Sequence, residues 1–196
     1  LGRHTGLPVL RVLGLSLLSS VIGAVGAKVY YLVEHRRERP PLLTAGMCIQ
    51  GFVLAAIATL VLGALAVDVP VGTLLDVTTP GLLWAMTIGR FGCFFGGCCA
   101  GRPTASRFGL WSSNRRLGVR RIPTQLLEAG LAFGVGGVAA TVVIADAASP
   151  AGLVFGAALA AYTMGRQLLF PLRDLPRNTT NGRVATLALA GAVFVA

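Results

Sequence analysis

Apolar residues recur along this chain in long runs, separated by short polar connectors that carry most of the charge. A helix needs roughly 20 apolar residues to cross the hydrocarbon core of a bilayer. Residues 9–33 form the first such run. Arg11 and Lys28 interrupt it near its ends, and Gly14, Ser19, Ser20, Gly23 and Gly26 supply small residues for close helix packing. Tyr30 and Tyr31 fit an aromatic belt at the membrane interface. Residues 42–67 form the second run, whose strongly polar member is Gln50, between Gly46 and Gly51. Residues 74–88 form the third, with Asp76 and Pro80 near its start; a membrane helix tolerates Pro when neighbours satisfy the freed carbonyl. Pro123 sits at a favoured first-turn position for a fourth span over residues 126–145, with Gln125 and Glu128 on one face. Residues 151–172 form the fifth, carrying Tyr162 and Arg166 one helical turn apart. Residues 184–196 are apolar but too short to cross, and we read them as a sixth span cut by the end of the sequence. The pattern predicts an all-α fold: a polytopic integral membrane helical bundle of about six transmembrane helices. It forms a single domain over residues 1–196, with a basic loop at 102–122 on the membrane surface.

Composition agrees with this pattern. Hydrophobic residues make up 55% of the 196 and charged residues 12%, against roughly 25% charged in a soluble domain. Net charge is +10, from 17 Lys and Arg against 7 Asp and Glu. Two sources fit this excess, the ordinary juxtamembrane bias of membrane proteins and attraction to an anionic lipid. The arginines lie in short connectors between spans, which argues against nucleic acid as a partner. The four cysteines make no CxxC pair and have no neighbouring His, so neither a disulfide framework nor a metal site is expected, and nothing implies a cofactor. No cleavable signal segment is visible. The sequence begins at Leu1 and ends within an apolar run, and reads as part of a longer protein.

The unusual chemistry is concentrated in residues 89–102, which hold five of the 26 glycines, three of the four cysteines, and Arg90 and Arg102. Glycine at this density permits positive φ and close approach of a backbone or ligand. Lys28, Gln50, Arg90, Glu128 and Arg166 lie within apolar runs, with Asp76 nearer an end. A charge at mid-depth costs about 2.5–3.5 kcal/mol on insertion scales, so each requires a partner or a wet cavity. Pairing of Glu128 with Arg90 or Arg166 would offset part of that cost. Two deep arginines facing one carboxylate still call for a second anion, and a lipid phosphate suits the planar guanidinium. Cys98 and Cys99 read either as two small buried hydrophobes or as a thiol pair made reactive by a nearby Arg. Gln50 reads as an interhelical hydrogen-bonding residue as readily as a functional one.

These residues, in this order, resemble the prolipoprotein diacylglyceryl transferase family. Gly89-Arg90-x-Gly92-x-Phe94, with Gly97 and Gly101-Arg102-Pro103-Thr104, resembles its signature. Gly26-Ala27-Lys28-Val29-Tyr30-Tyr31 looks like its second span, and residues 45–51 fall where it carries a Gly-Gly…His-Gly stretch. Asp76 and Pro80, then residues 121–128 ending in Gln125-Leu126-Leu127-Glu128, then Tyr162, Arg166 and Arg173, complete the set over about residues 20–190. The resemblance implies transfer of a diacylglyceryl group from phosphatidylglycerol to the lipobox cysteine thiol of a prolipoprotein signal peptide, at the bacterial plasma membrane. It implies that Arg90 and Arg166 bind the phosphate and steady the leaving group, and that Glu128 orients an arginine. Gly97, Gly101, Arg102, Gln125 and Tyr162 would line the substrate, with Gln50 at the position of the family's histidine.

Departures accompany the resemblance. Gln50 cannot act as a base, Cys93 and Cys98 stand where the signature has Asn and Glu, and Ile122 and Phe170 replace a His and an acid. The family's first span, with its Tyr-Gly pair, has no counterpart here. A homologue that binds anionic phospholipid without catalysis, and a membrane thiol-redox protein using Cys93, Cys98 and Cys99, are the competing readings. Positive-inside bias would place the basic connectors at 34–41, 102–122 and 173–183 in the cytoplasm. The resemblance places them outside, and that is the orientation expected here.

Overall fold

The computed structural model describes residues 6–34, 36, 48–113, 118–145, 150–174, 186, 188 and 191. Five helices in it are long and apolar enough to cross a membrane. They are α1 (Val9–Glu34), α2 (Ile49–Ala66), α3 (Val71–Phe95), α4 (Thr124–Ile144) and α5 (Leu153–Leu169), the last extended by a 3₁₀ turn at Phe170–Leu172. This is an all-α polytopic membrane protein, as the runs predict. The sixth span expected at 184–196 lies outside the described residues except 186, 188 and 191, which are helical.

The chain divides into two compact units, residues 1–78 with 150–152, and residues 79–149 with 153–196. In the first, α1 and α2 pack closely because small residues face each other. Leu15, Ser19, Gly23 and Ala27 form the buried stripe of α1, and Gly51, Ala56, Leu60 and Ala64 that of α2. A Cβ at Gly26 would meet the Ala55 methyl and, at 2.8 Å, the Gly51 carbonyl oxygen, so backbone contact replaces side-chain packing. Asp76 is buried and its Oδ2 accepts the Gly152 amide at 2.7 Å, where φ is +97°.

In the second unit, the core joins α3, α4 and α5 through Leu83, Ala132, Ala139, Ala158 and Tyr162. Three of those five are alanines, which lets the helix axes come close. Two findings differ from the expected spans. Helix α3 runs on to Phe95, so Arg90 and Cys93 lie on the helix rather than in a glycine-rich turn after it. Neither Gly89 nor Gly92 has a neighbour within 4 Å of an added Cβ, so an i→i−4 ladder through them meets no competing demand. The basic loop is a small folded layer. β1 (Leu110–Trp111) pairs antiparallel with β2 (Arg120–Arg121), and isolated bridges join Pro103 to Arg121 and Gly101 to Arg173. Arg120 caps the Gly109 carbonyl from Nε and Nη2 at 3.0 and 2.7 Å. Part of the positive charge expected to face lipid is therefore used inside the layer.

Candidate functional site

Glu128 lies one turn into α4 with 1% of its surface exposed. Burial of a carboxylate this deep requires paired cations. Arg90 on α3 supplies one, with Nη2 2.6 Å from Glu128 Oε2. Arg173, just after the 3₁₀ turn, supplies the second, with Nη1 3.3 Å from Oε1. Arg173 is itself buried and its Nε makes no hydrogen bond among the described residues. The Tyr162 hydroxyl is buried beside the Arg90 guanidinium without closing a hydrogen bond of good geometry. The cluster holds two cations, one anion and two unused donors.

Sequence reasoning found Arg90 and Glu128 and missed Arg173 as the second partner. It named Arg166, one turn beyond Tyr162. Arg166 is half-buried and makes no ion pair or hydrogen bond among the described residues. The one sign of Arg173 in the sequence was its place in the resemblance after Tyr162 and Arg166; what delivers it is the bridge from Gly101 to Arg173, which ties the signature loop to the end of α5. No spacing rule reveals such a bridge.

Three residues expected to line a substrate also hold the backbone around the cluster. Gln125, 3% exposed, donates from Nε2 to the Cys98 carbonyl at 2.7 Å, and its neighbour Thr124 donates from Oγ1 to the Cys99 carbonyl at 3.1 Å. Gly101 is buried where chains cross. A Cβ there would meet the Ile122 and Leu172 carbonyl oxygens at 2.6 and 2.7 Å, so backbone packs against backbone at this point. Arg102 donates from its amide to Leu172 at 2.9 Å and from Nε to the Arg173 carbonyl at 3.4 Å. Gly97, at φ +69°, makes the turn that ends α3. Gln50 belongs to the first unit, exposed on the first turn of α2, where its Oε1 accepts from the Cys48 thiol at 3.7 Å.

The reading of Cys98 and Cys99 as buried hydrophobes is corrected: both are exposed, and all four cysteines are free thiols. The turn at Gly97, followed by Cys99 at φ +56°, returns the chain toward the end of α3, and the Cys98 thiol donates to the Cys93 carbonyl at 3.7 Å. The sulfur atoms of Cys93, Cys98 and Cys99 all lie within 4.8 Å of one another. Partial burial first, and then the Cys99 and Cys93 thiols beside it, push the Cys98 thiol up to about 12, so without a metal it is protonated at neutral pH.

A family model described as prolipoprotein diacylglyceryl transferase matches residues 5–196. A Chloroflexus aggregans protein named phosphatidylglycerol–prolipoprotein diacylglyceryl transferase is 38% identical over 101 residues, 48% of this chain and 33% of that one. A Clostridium tetani protein of the same name is 25% identical over 181 residues, 87% of this chain and 71% of its own. A Synechococcus elongatus protein, again so named, is 36% identical over 92 residues, covering 43% and 32%. The aligned part of this chain thus spans between a third and seven tenths of the length of these relatives.

Proposed function

This chain belongs to the prolipoprotein diacylglyceryl transferase family, and from that membership and the buried arginine pair we propose that it moves a diacylglyceryl group from phosphatidylglycerol to the lipobox cysteine thiol of a prolipoprotein. The acceptor sulfur attacks the glyceryl carbon that bears the phosphate. A carbon–sulfur bond forms, the carbon–oxygen bond to phosphate breaks, and glycerol phosphate leaves with the electron pair. The observation that carries this reading is the ratio at Glu128, where one buried carboxylate serves two arginines, Arg173 buried and Arg90 nearly so. One positive charge is uncompensated there, and the negative charge of a phosphodiester balances it. In the transition state charge grows on the leaving phosphate, where preformed donors act most strongly.

Arg90 and Arg166 hold the phosphate in this reading, Glu128 and Arg173 fix Arg90, and Tyr162 donates its free hydroxyl. Gly97 and Arg102 shape the turn at the headgroup. A wholly apolar groove of about 550 Å³ between α4 and α5, lined by Leu131, Val135, Val138, Val142 and Val154 among others, suits an acyl chain. The site faces outward across a bacterial plasma membrane, where it meets exported signal peptides. Supplying the full-length gene to cells depleted of their own transferase tests the reading: prolipoprotein maturation is restored. Failure to restore it, with the protein present in the membrane, would reject transfer.

A further inference from the structure

A thiol must lose its proton to attack carbon, and among the described residues of the second unit neither carboxylate is free to take it. Those carboxylates are Glu128 and Asp174. Glu128 is held by two arginines, and Asp174 pairs with Arg121 at 2.7 Å. What this unit does offer is sulfur.

We propose that Cys93, Cys98 and Cys99 bind one thiophilic metal ion, zinc or a metal of similar softness, through their three sulfur atoms, leaving a fourth position for the acceptor thiol. Three protein ligands and one open position are the arrangement of a catalytic zinc site, and thiolates select zinc over harder cations. Sulfurs around tetrahedral zinc, each about 2.3 Å from the metal, stand roughly 3.8 Å apart. The observed spread of up to 4.8 Å closes by rotation of side chains, two of which are exposed. The backbone beneath them is fixed, because Gln125 and Thr124 hold the Cys98 and Cys99 carbonyls. Three thiolates and a divalent ion leave one negative charge, in the positive field of the Arg90 cluster near Cys93.

The metal gives the acceptor thiol an acidic site. On entering the fourth position the thiol releases its proton to water, and a coordinated thiol is held as thiolate. That sulfur forms the carbon–sulfur bond as glycerol phosphate leaves, and the metal keeps its oxidation state. The metal site stands on geometry alone; its catalytic use rests on the transferase reading.

The test is direct metal binding by the whole chain in detergent. Zinc is expected at one per chain after gel filtration, with about three protons released per ion taken up. Cadmium gives thiolate-to-metal charge-transfer absorption that saturates at one equivalent. C93S, C98S and C99S each weaken binding at least about tenfold, whereas C48S leaves it unchanged. Should the serine variants fail to fold, wild-type protein still decides the matter: zinc shields three thiols from alkylation, as counted by mass spectrometry, until a chelator is added. Sub-stoichiometric zinc, equal binding by the triple serine variant, or a disulfide among these cysteines in protein taken from membranes overturns the proposal. For the catalytic half, a lipobox peptide with Cys shifts the spectrum of the cobalt-substituted protein and a Ser peptide does not. Lipidation that persists undiminished after zinc removal and in the triple serine variant rejects the metal role and leaves the transferase reading standing. Tight three-cysteine metal binding without lipidation rejects only the transferase reading.

Discussion

Arg90 Nη2 stands 2.6 Å from Glu128 Oε2, and the carboxylate that receives it is 1% exposed. Replacing Glu128 with Gln therefore leaves two arginines, Arg90 and Arg173, buried without a counter-ion. Loss of one partner from a buried pair costs about 3–5 kcal/mol. Glu128→Gln is expected to unfold at markedly lower temperature in neutral detergent. Phosphatidylglycerol should restore part of that loss and phosphatidylcholine should not, because only the first brings a net negative headgroup. Equal thermal shifts with both lipids would rule out a headgroup site at this cluster.

Arg166 and Arg173 separate by readout. Arg173→Ala removes a partner of Glu128 and lowers stability. Arg166→Ala removes a half-buried arginine with no ion pair, so stability stays within about 0.5 kcal/mol. Phosphatidylglycerol binding and lipidation should nevertheless fall in Arg166→Ala. Unchanged lipid affinity in that variant would remove Arg166 from the site.

Arginine binds phosphate through a planar fork that lysine lacks. Arg90→Lys keeps the charge toward Glu128 and loses the fork. Lipidation is expected to drop about 10²–10³-fold, as when one preformed donor is removed from a charged transition state. A prolipoprotein maturation assay at matched protein levels measures it.

Gly101→Ala places a methyl carbon 2.6 Å from the Ile122 carbonyl oxygen and 2.7 Å from that of Leu172. Neither oxygen can move without breaking the loop pairing, so overpacking costs about 1–3 kcal/mol. Gly89→Ala, where nothing lies within 4 Å, is the control and should be neutral or slightly stabilising. Thermal unfolding of the two variants side by side checks the contrast.

With metal removed, the Cys98 thiol, pushed up to about 12, is protonated throughout the physiological range. Only about one molecule in 10⁴ carries thiolate at pH 8, and alkylation proceeds through thiolate. The rate at Cys98 should therefore rise about tenfold per pH unit up to the limit of protein stability, without the plateau that an ordinary thiol shows above pH 9. Peptide mapping after timed exposure to iodoacetamide follows this residue alone.

Run length and residue type were enough to find the spans, because a bilayer demands about 20 apolar residues whatever surrounds them. The same local logic put Gln125 and Glu128 on one face of α4, where both are buried. It also marked Arg90, since a charge within an apolar run is costly wherever the chain folds. Partners were beyond its reach. Arg166 and Arg173 both follow Tyr162 near the end of α5, and sequence position favoured the nearer. The backbone bridge between Gly101 and Arg173, and not spacing, delivers Arg173 to Glu128. That Gly101 and Gln125 also hold backbone was equally beyond its reach, because their neighbours come from residues 98, 122 and 172. Cys93, Cys98 and Cys99 follow no metal-binding spacing, and their sulfurs meet because two left-handed residues turn the chain back at the end of α3. The sequence by itself determined that this chain lies in a membrane and where its buried charge must be, since solvation acts on each segment alone. Which arginine meets which carboxylate, and that three thiols share one place, only the tertiary structure decided, because those contacts depend on loop crossings between distant residues.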